Sequence, residues 1–241
     1  MIHFSTPYLF TNKKTTIMNK LPFKETLSEA IQIGFKNILS LIAATLLYIV
    51  TIWIPYINIG TTLAMNALPA ELAKGRVIDP FFIFDSKYRK CMGEYLILGM
   101  IEFIVILIAL CCLFVPAIVL GLSWSLAVLL FVDKGMKPLD ALHTSNELTY
   151  GYKWRIFGLG FVLCCCLAIV DGIVVGLCTA ADMEILGAVL NGILGLLFVP
   201  FGLGLDAVIY RNLTAEETPK AEEPKVEVKE EIIVEEIKTE E

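Results

Sequence analysis

The sequence predicts an all-α integral membrane protein: a bundle of six transmembrane helices in three hairpins, each preceded by a cytoplasmic interfacial helix. Three observations carry this expectation. The chain is 57% hydrophobic over 241 residues, with a mean hydropathy of +0.74, more apolar surface than a soluble domain of that size buries. Residues 97–132 contain one charge, Glu102, and are long enough for two helical spans of about 20 residues, with Pro116 near the turn. One layout also recurs. Pro22, Pro80 and Pro138, each 58 residues from the next, open a polar or amphipathic stretch that leads into a pair of apolar runs. A transmembrane barrel would instead alternate polar and apolar residues.

Taken in order, residues 1–20 lack an apolar region followed by a small-residue cleavage site, so they read as a short leader or as sequence upstream of a later start at Met18. The membrane domain covers 21–211, with spans at about 38–56, 58–73, 95–114, 115–132, 156–178 and 185–210. Hydropathy leaves 58–73 undecided, because it holds Asn66, Pro69 and Glu71. The distribution of lysine and arginine decides for it. The basic groups at 13–36, 74–90, 134–155 and 211–238 all fall on one side only if 58–73 crosses; a segment that re-enters from the same side is the alternative. Both termini are then cytoplasmic.

The stretch "DKGMKPLDALHTSNELTYGYKWRIF" (133–157) begins like a helix, with Pro138 in its first turn and Asp140 at the positive end of the dipole. It reads as an amphipathic helix on the membrane surface, ended by Gly151 and anchored by Trp154 and Arg155. Residues 212–241 hold 11 Glu and 4 Lys and read as an acidic, disordered cytoplasmic tail. Without them the chain is near neutral, so net charge points to no nucleic-acid partner.

The segment around "ALHTSNELTYGYKWRIFG" resembles a pattern in bacterial membrane proteins, carried by Ala141, Leu142, Ser145, Leu148, Thr149, Gly151, Trp154, Arg155 and Gly158. That family includes the membrane domain attached to some glycerophosphodiester phosphodiesterases and free-standing relatives. The resemblance covers roughly 24–211 and implies a multi-pass protein of the bacterial inner membrane. It implies no phosphodiesterase activity here, since in the family that chemistry belongs to a separate soluble domain.

Four intramembrane polar residues are candidate site residues: Glu102, Asp171, Asn191 and Asp206. Glu102, Asp171 and Asn191 suggest a polar pathway. The structural alternative has Asp206 reaching toward Arg211, Asp171 meeting outer water and Glu102 pairing within the bundle. Their depths, counted along the helices, do not imply one shared site. Six of the seven cysteines lie in apolar runs without metal-ligand spacing, and His3 and His143 are the two histidines, so no metal or cofactor is expected. Glycines at 158, 160, 172, 176, 187, 192, 195, 202 and 204 are expected to let helices approach closely, and Pro200 with Gly202 to weaken or bend the last span.

The leading functional expectation is a non-enzymatic membrane-organising or accessory protein, partnered by the lipid bilayer and by membrane proteins or lipids, with its oligomeric state open. The alternative is a small-solute or ion transporter or channel. A membrane-embedded lipid enzyme comes third, for want of a catalytic or metal-ligand set.

Overall fold

The computed structural model describes residues 21–215, so the expected leader and nearly all of the acidic tail lie outside the described residues. Every regular element among the described residues is helical. The first unit opens at Pro22, which caps α1 (Phe23–Lys36). Thr26, Ala30 and Gly34 recur every four residues and form one small, buried face. The Asn37 side chain donates back to Ile33 O, and α2 (Ile38–Thr51) leaves at 73° to α1. The expected span 38–56 thus stops at Thr51. Pro55 opens α3 (Pro55–Ala73) at the first helical position, where its missing N–H is no loss, so the turn between α2 and α3 is Ile52–Ile54. Thr51 Oγ1 and Thr61 Oγ1 lie 3.1 Å apart, and Tyr48 OH and Thr62 Oγ1 3.2 Å apart, tying α2 to α3.

The second unit departs from the expected long amphipathic stretch. Asp79 accepts from Phe81 N and Asp85 from Lys87 N, which splits it into a 3₁₀ turn (Pro80–Phe84) and a one-turn helix, α4 (Ser86–Lys90). Next come α5 (Met92–Cys112), one extended residue at Leu113, α6 (Phe114–Trp124) and α7 (Ala127–Lys134). Gly135, at φ +63°, ends α7 in the left-handed conformation that favours glycine. In the third unit α8 (Pro138–Thr149) starts at Pro138 as the sequence predicts, and Gly151 turns the chain at φ +87° into α9 (Lys153–Ala180). The last helix, α10 (Glu184–Thr214), continues through Pro200 without a break.

By length and composition, Met92–Cys111, Phe114–Lys134, Lys153–Ala180 and Ile185–Thr214 are able to cross a membrane, and the bent pair α1–α2 adds a fifth only when counted as one span. Large apolar side chains stand exposed along them: Leu39, Phe103 and Ile185 are 82%, 68% and 84% accessible. Such a surface needs lipid or protein to cover it, and the chain is a membrane protein.

The packed core lies at one end, where α1, α3, α7, α8 and the last third of α10 meet around Leu63, Leu68, Leu130, Ala141, Val208 and Leu213. The glycines contribute unevenly. At Gly204 a Cβ would stand 2.5 Å from Ala30 O, and at Gly34 it would stand 2.8 Å from the Phe201 ring, so α1 and α10 touch through their backbones. At Gly160, Gly172, Gly176, Gly192, Gly195 and Gly202 a Cβ meets nothing within 4 Å, contrary to the expected close approach, because those faces have no helix against them.

Candidate functional site

The apolar run 115–132 is not one continuous helix. Ser125 and Leu126 interrupt it between α6 and α7. An interruption frees backbone groups that a bilayer cannot satisfy, so protein must satisfy them. The partners come from α8. Ser145 Oγ donates to Ser123 O at 2.7 Å and accepts from Leu126 N at 3.2 Å. Thr149 Oγ1 lies 3.2 Å from Ser123 O and 2.8 Å from Ser145 O. The buried face of α8 is Ala141, Leu142, Ser145 and Thr149, and it packs along α6 and α7. The expected surface helix is therefore a clamp on a broken span. Ala141 has no side chain beyond Cβ to hold the two helices apart.

This clamp yields a first prediction. Ser145→Ala removes an acceptor and a donor from buried backbone groups, which should cost about 1–3 kcal/mol. Thr149→Ala should cost less, because Ser145 still donates to Ser123 O. Thermal unfolding in detergent checks the order; equal, negligible shifts would mean that the clamp contributes nothing.

Beside the break lies a cavity of about 270 Å³. Trp124 and Ser125 from the interruption line it, together with Asn66 and Pro69 of α3, Glu102 of α5 and Asp206 of α10. Ser125 Oγ donates to Leu122 O, and Asn66 Nδ2 donates to Tyr95 OH at 3.0 Å. Glu102 Oε1 is buried without a hydrogen-bond partner among the described residues. Asp206 sits deep among protein atoms, yet its side chain is accessible because it borders the cavity. No Lys, Arg or His lines the cavity.

Two of the sequence-derived candidates, Glu102 and Asp206, thus share one site, against the expectation of separate depths. Asn66 joins them. Asp171 and Asn191 do not line this cavity; they lie on α9 and the outer half of α10, away from the packed end. Asp206 does not reach Arg211 as the structural alternative has it, since the Arg211 guanidinium pairs with Glu29. The interfacial motif also divides. Ser145 serves the clamp, while Arg155 Nη1 donates to Leu21 O at 3.0 Å and ties α9 to the residue before α1. Trp154 is 72% exposed and, with Gly151, Val115, Ile118 and Phe157, borders an apolar groove between α6 and α9.

Chemically, the cavity offers two carboxylates, an amide and an indole, with no cation among its lining residues. That combination attracts protons and small cations, organic ones included. Among the described residues no group of three or more His, Cys, Asp or Glu is arranged to hold a metal ion. No protein-family model matches the chain, and no curated protein or solved structure shows significant similarity to it.

Proposed function

We propose that the chain is a six-span membrane protein that binds and moves a small cationic solute, with Glu102 and Asp206 as the charged ligands of that solute. The single observation behind this reading is the convergence of Asn66, Glu102 and Asp206, from three helices, on one cavity beside an interrupted span, with no cation lining it. Interrupted helices near the bilayer midplane are where transporters place substrate and coupling-ion sites. The sequence ranked this function second; the shared cavity moves it to first.

The six spans are α2, α3, α5, α6–α7, α9 and α10, with both termini on the cytoplasmic face. α3 falls short of an apolar span by composition, but its 19 residues reach about 28 Å, close to the hydrocarbon thickness. It also packs against α2, α7, α10 and the 3₁₀ turn, with Thr61, Leu63, Ala64 and Leu68 buried. The basic residues that flank the helices support this orientation, and the sequence resemblance to bacterial multi-pass proteins supports the inner membrane as the location.

Purified protein in liposomes should release or accumulate at least one of Na⁺, K⁺, H⁺, Mg²⁺ or a small alkylammonium, followed with ion-sensitive dyes. Silence across that panel, in flux and in equilibrium binding, would sink the reading. One observation favours the membrane-organising reading: α9 and the outer half of α10 form an apolar hairpin that little of the chain covers. A stoichiometric membrane partner, lost on altering that hairpin, is the result that would support it.

A further inference from the structure

We propose that Asp133, Lys74 and Tyr210 form a gate over the Glu102–Asp206 cavity. This rests on reading that cavity as a solute site. The three helices that carry the gate residues also line the cavity. On α7, Leu129 borders the cavity and Asp133 follows four residues later. On α10, Asp206 borders it and Tyr210 follows four residues later. On α3, Pro69 borders it and Lys74 caps the helix five residues on. On α7 and α10 the spacing of four residues is one turn, so each pair shares a helix face, with the second member about 6 Å farther along, while Lys74 lies about 7.5 Å past Pro69 and off its face. All three displacements run toward the same end of the molecule, the end where α3 and α7 terminate and α10 is a turn from its end.

The cluster is knitted across those helices. Lys74 Nζ reaches Asp133 Oδ1 and lies 2.9 Å from Glu71 Oε1. Tyr210 OH donates to Asp133 Oδ2 at 2.7 Å. Asp133 therefore uses one carboxylate oxygen toward α3 and the other toward α10. Glu71 is shared a second time, with Arg76 Nη1 at 3.2 Å. Burial alone would lower the Lys74 ammonium, but its bonds to Asp133 and Glu71 outweigh that and hold it above its ordinary value, so it stays charged at neutral pH. The Lys74 side chain is 40% accessible and that of Asp133 18%. The cluster thus lies beyond the cavity, toward the end of the bundle where α3 and α7 terminate, and is itself partly open to water. Partly exposed ion pairs are weak enough to break and re-form readily, as a gate requires.

The test uses Ser125→Cys in the full-length chain. Modification at position 125 by a charged, membrane-impermeant thiol reagent is mapped by peptide mass spectrometry, which separates it from the native cysteines. The reagent is applied from whichever face of the vesicle labels Lys137→Cys. Labelling at 125 should be slow with the cluster intact and roughly tenfold faster once Asp133→Asn is added, as for a closed–open equilibrium shifted by one strong polar contact. Tyr210→Phe, which keeps the ring in place, should give a smaller acceleration and carries the comparison if Asp133→Asn does not fold. Rates unchanged in the folded variants overturn the gate. Cation binding is measured separately on the same preparations: accelerated labelling without any binding would overturn the solute site and leave the gate, while binding with unchanged labelling would overturn only the gate.

Discussion

Gly204→Ala is expected to lower the melting temperature in detergent by roughly 5 °C, and Gly204→Leu to prevent folding. The reason is local. A Cβ at position 204 would sit 2.5 Å from Ala30 O and 3.4 Å from Gly34 N, both backbone atoms of α1. Backbone does not rotate out of the way, so α1 and α10 must separate along their contact. That contact buries Ala30, Gly34, Leu205 and Val208, and it precedes the Arg211–Glu29 ion pair by two turns. Overpacking of this kind costs about 1–3 kcal/mol for one methyl. Gly34→Ala should cost less: the nearest atom there belongs to the Phe201 ring, which is able to shift, although Pro200 O stands at 3.2 Å. Gly202→Ala is the internal control, because a Cβ there meets nothing within 4 Å. It should be neutral or slightly stabilising, since alanine suits a helix interior better than glycine. Equal melting of Gly204→Ala and Gly202→Ala would show that α1 does not lie against α10.

The positions of the helices were legible because a bilayer imposes their length. Apolar runs of the right size, punctuated by proline and glycine, place α5, α9 and α10 to within a few residues, and Pro138 and Gly151 bracket α8. The polar residues of α3 were legible as a difficulty: the helix forms over Pro55–Ala73 but is not apolar enough to count as a span by composition. Two things were hidden. The interruption at Ser125–Leu126 lies inside "GLSWSLAVLL", whose composition is that of an unbroken span. Its signal was indirect: two serines in an apolar run, matched by hydroxyls at Ser145 and Thr149 one turn apart. The shared cavity was hidden because depth had been counted from the nearest charged residue of each helix. Counted from the end of α3, the start of α5 and the end of α10, Asn66, Glu102 and Asp206 lie about 10, 15 and 12 Å in, nearly level. The α1–α10 contact was partly legible. Glycine marks where backbones are able to touch, but one chain cannot say which glycines have a partner helix in front of them.

Glu102→Gln and Asp206→Asn are each expected to weaken binding of the transported cation on the order of 100-fold, and together to abolish it. Each substitution keeps shape and volume while removing a formal charge from a cavity that no cation lines. Near a protein surface a unit charge pair at contact distance is worth about 4 kcal/mol, and loss of half to three-quarters of that corresponds to the expected factor. Stability should move the other way. Glu102 Oε1 is buried without a hydrogen-bond partner among the described residues, so a carboxylate there is poorly compensated and the amide should melt at an equal or higher temperature. Asp171→Asn and Asn191→Ala, outside the cavity, should leave binding unchanged. A purely structural role for Glu102 and Asp206 predicts the opposite pattern: lower melting temperatures on neutralisation, and no change in any bound or transported ion. Calorimetric titration and thermal unfolding on the same five proteins separate the two. The decisive result is the sign of the stability change in Glu102→Gln, because a buried carboxylate without a partner gains stability from losing its charge, whereas an internal salt bridge loses it.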